Sequence, residues 1–346
     1  MSDGPDREAV ANLLRIRKIA PGLTGGDLSI LSTKGVSHDH WRIGTTGLVL
    51  RIPRMNQWGM GAGDALHYQE IAFRRASESG CTPRFNARLE PDEPLPLGAL
   101  IVEEIQGRAP ELPGDLGAIA DALSALHGMD PVPQSDMPPL HIHHNPVAST
   151  LQVIEEQAEH LADAQLDRLT EESIRTELDW AREFAAHGEP DFELSFVGTD
   201  THPGNFLIDR EGKAWFVDLE KALYGAAPID LAHASLATST GWDPDCRGAL
   251  TRDDVQRFYQ RYLDAAGRDR AATLGPWLLP LRRLTWLRTI TWFARWKASW
   301  STQDDHAAAR DERMTAHIRR HVEYCFDPEN IAQCRRDWLA PRALPI

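Results

Sequence analysis

The sequence predicts an α+β protein in which a strand-rich first third precedes a mainly helical remainder. Three short strand-like runs separated by glycine turns lie between residues 28 and 52, and an apolar run lies at Ala99–Ile105. The later part of the chain favours mostly helices. A chain of 346 residues is long enough for one large domain or for two lobes, with a substantial buried core.

Two helices and four strands are predicted in the first third. Arg7–Ile19 has acidic residues early and basic residues late, an arrangement that the helix dipole favours. Asp64–Ser79 is the second helix, with Asp64 available as its N-cap and Gly80 at its end. The strands are Leu28–Ser32, Asp39–Ile43, Leu48–Ile52 and Ala99–Ile105, with Gly35 and Gly44–Gly47 in the turns.

The remainder is predicted to be helical around two pairs of strand-like segments. The helices before them are Leu116–His127, Ser149–Ala164 and Glu171–His187. Asp130–Pro146 is rich in Pro and His and is expected to be an exposed loop, without the matched acids or cysteines that a metal site needs. Four tryptophans at near-helical spacing favour a buried helix over a ligand-stacking surface: Trp286, Trp292, Trp296 and Trp300.

Composition and charge exclude several classes of function. The chain has 51 acidic against 37 Lys and Arg residues, for a net charge of −14, so nucleic acid and anionic membranes are poor partners. Its four cysteines form no CxxC pair, which disfavours a zinc site or a disulfide framework. No signal peptide is predicted, and arginines interrupt the apolar stretch Leu274–Phe293. We therefore expect a cytoplasmic protein.

Two neighbouring segments hold the candidate functional residues. Asp200 and Asn205 follow the apolar run Phe192–Val197, and Asp218 and Glu220 follow a second apolar run. Such runs suit buried strands whose ends deliver side chains into a cleft. One acid beside a hydroxyl, with an amide and a second acid on a metal ion, is the minimal equipment for phosphoryl transfer. The alternative is that these are turn and capping residues, but the second acidic strand disfavours it.

These segments resemble the catalytic and metal-binding segments of the aminoglycoside phosphotransferase and choline kinase family. The family's catalytic loop typically reads His-Gly-Asp-Leu-His-Pro-Gly-Asn, and this chain has Gly198-Thr-Asp-Thr-His-Pro-Gly-Asn205. The family's metal strand reads roughly Phe-Ile-Asp-Phe-Glu, and this chain has Phe216-Val-Asp-Leu-Glu220. The resemblance continues at Pro228-Ile-Asp-Leu-Ala232 and covers most of residues 20–240.

The resemblance implies a two-lobed fold like that of protein kinases. An N-lobe, residues 1–105, would contain an antiparallel sheet and one helix and bind the nucleotide. A larger, mainly helical C-lobe, residues 106–346, would carry the catalytic and metal loops and the acceptor site, with the joint near Glu104–Gly107. The implied activity is Mg²⁺-dependent transfer of the γ-phosphoryl group of ATP to a hydroxyl of a small molecule.

The resemblance also implies roles for the residues of the two loops. Asp200 matches the acid that accepts or orients the proton of the attacking hydroxyl. Asn205 and Asp218 match the Mg²⁺ ligands, and Glu220 matches an acid that approaches the metal in some relatives. Asp230 matches the acid that begins a helix beneath the catalytic loop, where an N-cap is the simpler interpretation.

Four residues of the first third match the family's nucleotide-binding parts. Gly35 and Ser37 lie in a turn whose backbone amides would hold phosphates. Arg51 stands where most kinases have the lysine that neutralises the α and β phosphates, and Glu70 matches the glutamate that orients that lysine. The alternative is a solvated Arg51 and a Glu70–Arg74 pair at i,i+4 spacing.

The chain departs from the family at Gly198, where the family usually has a histidine that packs beneath the loop. His202 or His233 could replace it. The departures at Arg51 and Gly198 keep open a second interpretation, a nucleotide-binding pseudokinase or regulatory module. Nucleotidyl transfer is a third, and transfer to a protein is disfavoured because no activation segment is recognisable before Pro228. Aminoglycosides, sugars and amino alcohols all stay open as acceptors.

Overall fold

An N-terminal antiparallel sheet with its helices precedes a mainly helical C-terminal part, which confirms the predicted α+β class. The computed structural model describes residues 5–32, 37–55, 59–130, 140–187, 190–300, 312–339, 341 and 343–346. Just after the predicted joint, the chain is bound to the C-terminal part, because Arg108 N donates to Ile208 O at 2.9 Å and Ile208 N donates to Arg108 O at 2.8 Å. The lobe boundary at 105/106 stays a prediction.

Five strands form the N-terminal sheet in the order β1-β2-β3-β5-β4, and every neighbouring pair is antiparallel. Their bounds are β1 Leu28–Ser32, β2 His38–Ile43, β3 Leu48–Pro53, β4 Phe85–Leu89 and β5 Ala99–Glu103. Strand β4 was not predicted. It is an edge strand whose sequence, Phe-Asn-Ala-Arg-Leu, is only partly buried, so it has no apolar run of the kind that predicted β5.

The alternation of side chains along β3 decides which residues face the rest of the molecule. Leu50 and Ile52 pack with α1 (Arg7–Ile16) and the residues around it. Val49 belongs to the core that contains Leu66 and Phe73 of α2 (Ala62–Ala76). Because successive side chains of a strand point to opposite faces, Arg51 lies on the Val49 side. Its guanidinium accordingly lies 5.1 Å from the centroid of the Phe73 ring.

Helix α2 begins two residues earlier than predicted. Gly61 is its N-cap, so the prediction of Asp64 as N-cap was wrong, and Asp64 instead supplies an acidic group to the first turn. The α-helix ends at Ala76 and a 3₁₀ turn, Ser77–Ser79, continues it. Gly80, at φ +70°, then ends the helical segment as predicted, because glycine adopts this conformation without strain.

Two short antiparallel strand pairs lie within the helical C-terminal part, one nested inside the other. Strands β6 (Ser195–Val197) and β9 (Leu223–Gly225) form the outer pair, and β7 (Phe206–Ile208) and β8 (Ala214–Phe216) form the inner hairpin. The helices are α3 Leu116–His127, α4 Pro146–Ala158, α5 Arg168–Ala186, α6 Ala227–Ser235, α7 Ala237–Thr240, α8 Arg252–Ala266, α9 Arg268–Ser299, α10 Glu312–Phe326 and α11 Pro328–Arg335.

The 32-residue helix α9 is the central element of this part and contacts α4, α6 and α8. Trp286 on this helix is completely buried, which confirms the prediction of a core role for it. Trp292, two turns later, is 38% exposed, and its ring contacts Trp242, Phe293 and Trp296. Among the residues described, no helix has the length and apolar character needed to cross a membrane.

Replacing Trp286 by Ala should destabilise the protein strongly, because a buried aromatic side chain leaves a cavity that its surroundings fill only in part. We expect a loss of about 3–5 kcal/mol in the free energy of unfolding, measured by chemical denaturation. The half-exposed Trp292→Ala on the same helix is the matched control and should lose clearly less. Equal losses for the two variants would contradict the assignment of Trp286 to the core.

Candidate active site

The inner hairpin brings together the acids and the amide singled out in the sequence. Phe206 pairs with Phe216, and Val217 N donates to Asn205 O at 2.9 Å, so Asn205 lies beside the residue that precedes Asp218. The Asn205 side chain donates from Nδ2 to the backbone oxygen of Asp200 at 2.7 Å. Asp200, Asn205 and Asp218 therefore lie in one neighbourhood, as the sequence predicted.

A buried carboxylate holds the loop that carries Asp200. Asp230, on α6, is fully buried and accepts hydrogen bonds from Gly198 N at 2.7 Å and Thr199 N at 2.8 Å. Thr199 adopts the left-handed conformation, with φ +58°, between these bonds and the hydrogen bond from Thr201 Oγ1 to Asp230 O at 2.8 Å. The simple N-cap interpretation of Asp230 was wrong, because Ala226 is the N-cap of α6.

The tight packing at Gly198 explains the missing family histidine. A Cβ atom there would lie 2.6 Å from two carbons of the Phe216 ring and 2.9 Å from Thr201 Cγ2, which leaves no space for a side chain. The two proposed substitutes, His202 and His233, both lie beside Asp200.

An imidazole reaches Asp230 from α3 instead. Nε2 of the buried His127 lies 3.1 Å from Asp230 Oδ2, and its Nδ1 lies 3.0 Å from the Tyr262 hydroxyl. Burial lowers the pKa of His127, although the hydrogen bond and charge of Asp230 oppose this effect. A neutral ring that donates from Nε2 and accepts from Tyr262 at Nδ1 satisfies all three groups. The chain thus supports its catalytic loop with a histidine that is distant in sequence.

Arg51 reaches the acidic site from β3. Its Nη2 donates to Asp218 Oδ1 at 2.9 Å, and its Nη1 donates to Val217 O at 2.9 Å and lies 3.1 Å from His40 Nε2. Arg51 is only 3% exposed, so the alternative of a solvated arginine is wrong. This ion pair connects the N-terminal sheet to the loop after β8.

The predicted ion pair between Arg51 and Glu70 was wrong. Glu70 pairs instead with Arg74 at 2.8 Å, the i,i+4 alternative, and with Arg88 of β4 at 2.8 Å. The helical period gives the physical reason, because Gln69 and Phe73 form one face of α2 and Glu70 and Arg74 the next. Gln69 is the residue that faces β2, where its Oε1 lies 3.1 Å from His38 Nε2.

The other predicted nucleotide-binding residues lie around the start of β2. Gly35 lies outside the described residues. Ser37 immediately precedes β2, and its backbone oxygen accepts a hydrogen bond from Arg54 N at 2.8 Å. A phosphate-binding role for both stays a prediction.

Lys221 is the functional candidate that the sequence analysis missed. Its Nζ lies 2.7 Å from Asp200 Oδ2, and its backbone oxygen accepts from Thr199 Oγ1 at 2.9 Å. Burial acts against ionisation of Asp200, but Lys221 and the neighbouring His202 and His233 hold its pKa far below the usual range. The position of Lys221 directly after the Asp218-Leu-Glu220 motif was the signal in the sequence that could have identified it.

Two buried histidines border Asp200 on another side. His202 and His233 are each 8% exposed, and their rings lie 6.2 Å apart between centroids. Among the described residues, neither Nδ1 atom has a hydrogen-bond partner, although His233 Nδ1 lies 3.9 Å from Asp200 Oδ1. Burial lowers the pKa of His233 to about 3, so this ring is neutral at pH 7.

Glu220 is buried beside Asp218 and has the opposite pKa behaviour from Asp200. Burial first, and then the negative charge of Asp218, raise the pKa of Glu220 to about 8. Its Oε2 lies 3.3 Å from Nδ1 of His38 on β2. Glu220 therefore faces the N-terminal sheet and holds a proton at neutral pH in the absence of a cation.

The sequence and the fold were compared with known proteins. Residues 30–275, more than two thirds of the chain, match the model of the phosphotransferase enzyme family (APH). The chain belongs to this phosphotransferase family. No protein in a search of curated sequences matches this phosphotransferase.

Solved structures of small-molecule kinases share the fold of this phosphotransferase. Plasmodium vivax ethanolamine kinase has a TM-score of 0.60 at 11% identity, over 93% of this chain and 88% of that chain. A spectinomycin phosphotransferase in complex with ADP and spectinomycin has a TM-score of 0.58 at 13% identity, over 96% and 98%. Choline kinase from Cryptosporidium parvum has a TM-score of 0.54 at 16% identity, over 93% and 98%. At these identities the likeness concerns the fold, and it supports the kinase-like architecture.

The oxygen atoms of the phosphotransferase site fit a magnesium ion. Asn205 Nδ2 donates to the backbone oxygen of Asp200, so the Oδ1 atom of the same amide points away from that oxygen. This oxygen and the carboxylate of Asp218 form a small set of hard ligands, which Mg²⁺ prefers and completes with water and phosphate oxygens. The donor set thus agrees with the role predicted for these two residues.

Loss of the His127 side chain should weaken both the fold and the catalytic loop of the phosphotransferase. His127→Ala leaves a buried carboxylate of Asp230 short of one donor, which should cost about 1–3 kcal/mol of stability and lower kcat. His127→Gln, whose amide can still donate, should retain more of both. The exposed His144→Ala is the control. Wild-type stability and kcat in His127→Ala would show that the imidazole does not support the loop.

The raised pKa of Glu220 predicts a dependence of stability on pH. The unfolded chain loses the Glu220 proton near its ordinary pKa of 4.5, whereas the folded protein keeps it until about pH 8. The folded state therefore binds more protons in this window, and the free energy of unfolding should fall as pH rises from about 4.5 to about 8. In metal-free buffer, the wild type should lose a few kcal/mol of unfolding free energy by about pH 8, and Glu220→Gln should not show this loss. The exposed Glu211→Gln should retain the wild-type profile, and an unchanged profile in Glu220→Gln would refute the assignment.

Proposed function

We propose that this phosphotransferase moves the γ-phosphoryl group of ATP to a hydroxyl of a small molecule of the aminoglycoside, sugar or amino-alcohol type. The observation that carries the proposal is the meeting of Asp200, Asn205 and Asp218 in one neighbourhood, beside a guanidinium from the N-terminal sheet. Phosphoryl transfer needs positioned reactants and neutralised charge more than covalent chemistry by the protein. The match of residues 30–275 to the phosphotransferase family supports the same class of reaction.

In this proposal Asp200 acts mainly by orienting the acceptor hydroxyl. Its pKa lies far below neutrality, so it is ionised throughout the physiological range but is a weak base. A carboxylate of this kind accepts a hydrogen bond from the hydroxyl and aims its oxygen at the phosphorus atom. The proton passes to the carboxylate as the new oxygen–phosphorus bond forms.

Positive side chains around the acids would neutralise the phosphate groups. Arg51 is held on Asp218 and Lys221 on Asp200, each at less than 3 Å, so both cations stand next to the proposed reaction centre. Asn205 and Asp218 would hold a bound Mg²⁺, which would supply further neutralisation of the phosphates. Arg51 would then turn from Asp218 to the α and β phosphates, which a guanidinium binds in bidentate fashion.

The charge of the protein favours an acceptor that carries amines. The net charge is −14, and an acidic field attracts cationic ligands. Two of the structurally similar proteins are an ethanolamine kinase and a spectinomycin phosphotransferase. A panel of amino alcohols, aminoglycosides and neutral sugars, assayed through ADP release, would identify the class. Preference for the neutral sugars would contradict the charge argument.

A pseudokinase is the second candidate, and one observation favours it. Arg51 already occupies Asp218 in the structure, so the proposed metal ligand is engaged by a protein cation. Stabilisation by ATP against thermal unfolding, without ADP release on any acceptor, would support this candidate. Release of pyrophosphate in place of ADP would instead indicate nucleotidyl transfer.

Asp200→Ala should abolish transfer while nucleotide binding persists. Removing the group that orients the hydroxyl should lower kcat by about 10²- to 10⁴-fold. ATP affinity, measured by calorimetry, should stay close to wild type because the phosphates face Arg51 and the metal ligands. Asp163→Ala, at an exposed position of the helical part, is the control and should leave both quantities unchanged. If purified Asp200→Ala turned over like the wild type, the proposed role of Asp200 would be wrong.

A further inference from the structure

A second group of potential metal ligands lies where β2 meets the loop after β8. His38, Asp218 and Glu220 each point one ligand atom into a common space, and these atoms lie within 4.8 Å of one another. His38 and Glu220 are buried, with side chains 3% and 5% exposed, and the side chain of Asp218 is 24% exposed. Among the described residues this is the one such group of three.

The hydrogen bonding of His38 fixes which of its nitrogens faces the acids. Its Nε2 lies 3.1 Å from the amide oxygen of Gln69, and an oxygen of this kind only accepts. Nε2 therefore carries the hydrogen, and Nδ1 presents its lone pair to Glu220 Oε2 at 3.3 Å. A histidine that ligates a metal typically has its second nitrogen bound to an acceptor in this way.

Two acceptors that face each other inside a protein need a cation or a proton between them. A lone pair of Nδ1 and a carboxylate oxygen repel each other at 3.3 Å unless something positive is shared. Two carboxylates stand against one guanidinium at this place, since Arg51 binds Asp218 Oδ1. A divalent cation between Nδ1 and the carboxylate oxygens would take the place of the Glu220 proton and satisfy these acceptors.

The ligand types indicate the class of metal ion. One imidazole nitrogen with two carboxylates suits Mn²⁺, Fe²⁺, Co²⁺ or Zn²⁺, which accept nitrogen ligands, better than Mg²⁺, which prefers oxygen. We propose that His38, Asp218 and Glu220 form a binding site for a divalent transition-metal ion, occupied without nucleotide. The ion would brace β2, which follows the predicted phosphate-binding turn, against the loop that carries Asp218.

The proposed site goes beyond the phosphoryl-transfer function, although the two share Asp218. Metal binding by itself requires neither nucleotide nor acceptor, so it can be measured on the resting protein. Asp200 is not a ligand of this site, and Asp200→Ala should bind the ion like the wild type while losing transfer. This variant therefore distinguishes failure of the metal-site proposal from failure of the phosphoryl-transfer proposal.

The experiment is a titration of metal-stripped, full-length protein with Mn²⁺ alone, followed by electron paramagnetic resonance and calorimetry. We expect one Mn²⁺ bound per chain, more tightly than Mg²⁺ in competition. His38→Ala should weaken Mn²⁺ binding at least 10-fold, and Gln69→Leu, which removes the partner of Nε2, should weaken it by about 10-fold. His67→Ala is the matched control, because His67 also lies beside a glutamate, Glu70, but on the exposed face of α2.

The Co²⁺ spectrum provides a second measurement that does not depend on affinity. The Co²⁺ spectrum of the wild type should show a nitrogen ligand, and the spectrum of His38→Ala should not. Circular dichroism would confirm that the variant is folded. His38→Asp, which exchanges nitrogen for oxygen, should shift the preference from Mn²⁺ towards Mg²⁺. Equal Mn²⁺ binding by the wild type and His38→Ala, or no binding without nucleotide, would overturn the proposal. The contact between His38 and Glu220 would then be a shared proton.

Discussion

The buried carboxylate of Asp230 is the interaction on which the geometry of the active site depends. It accepts hydrogen bonds from two successive backbone amides of the loop, at Gly198 and Thr199, and contacts the ring of His127. A carboxylate in a protein interior is costly unless its oxygens find donors, so the amides must stay turned towards it. This requirement holds Thr199 in the left-handed conformation and presents Asp200 on the other side of the loop.

The contacts of the acids join the two parts of the chain. Arg51 from the sheet binds Asp218, His38 from the sheet lies against Glu220, and Lys221 binds Asp200 within the helical part. Each acid thus has a neighbouring basic group, which allows three carboxylates to share a partly buried region. The different neighbours also separate the properties of the acids. Asp200, beside an ammonium, stays ionised, whereas Glu220, beside another acid, keeps a proton.

Elements with a strong local pattern were predicted well from the sequence. Strand β1 and helix α3 have the predicted bounds, because glycines flank the first in the sequence and a continuous helical pattern marks the second. Strand β4 was missed because an edge strand needs no continuous apolar run. The start of α2 was misplaced because Gly61 caps the helix through its backbone conformation, without the side chain that marks a typical N-cap.

The sequence by itself determined the class of fold and the oxygen-bearing residues of the site. Asp200 and Asn205 lie within one loop, and Asp218 follows the partner strand of one short hairpin, so local spacing was enough to bring them together. Only the tertiary structure decided that Arg51 pairs with Asp218, that His127 contacts Asp230 beneath the loop, and that Lys221 binds Asp200. Arg51 and Asp218 are separated by 167 positions in the sequence, and His127 and Asp230 by 103. Lys221 and Asp200 meet because the outer strand pair closes the chain between them. Contacts of this kind depend on how sheet, helices and hairpins pack, and no local pattern records that packing.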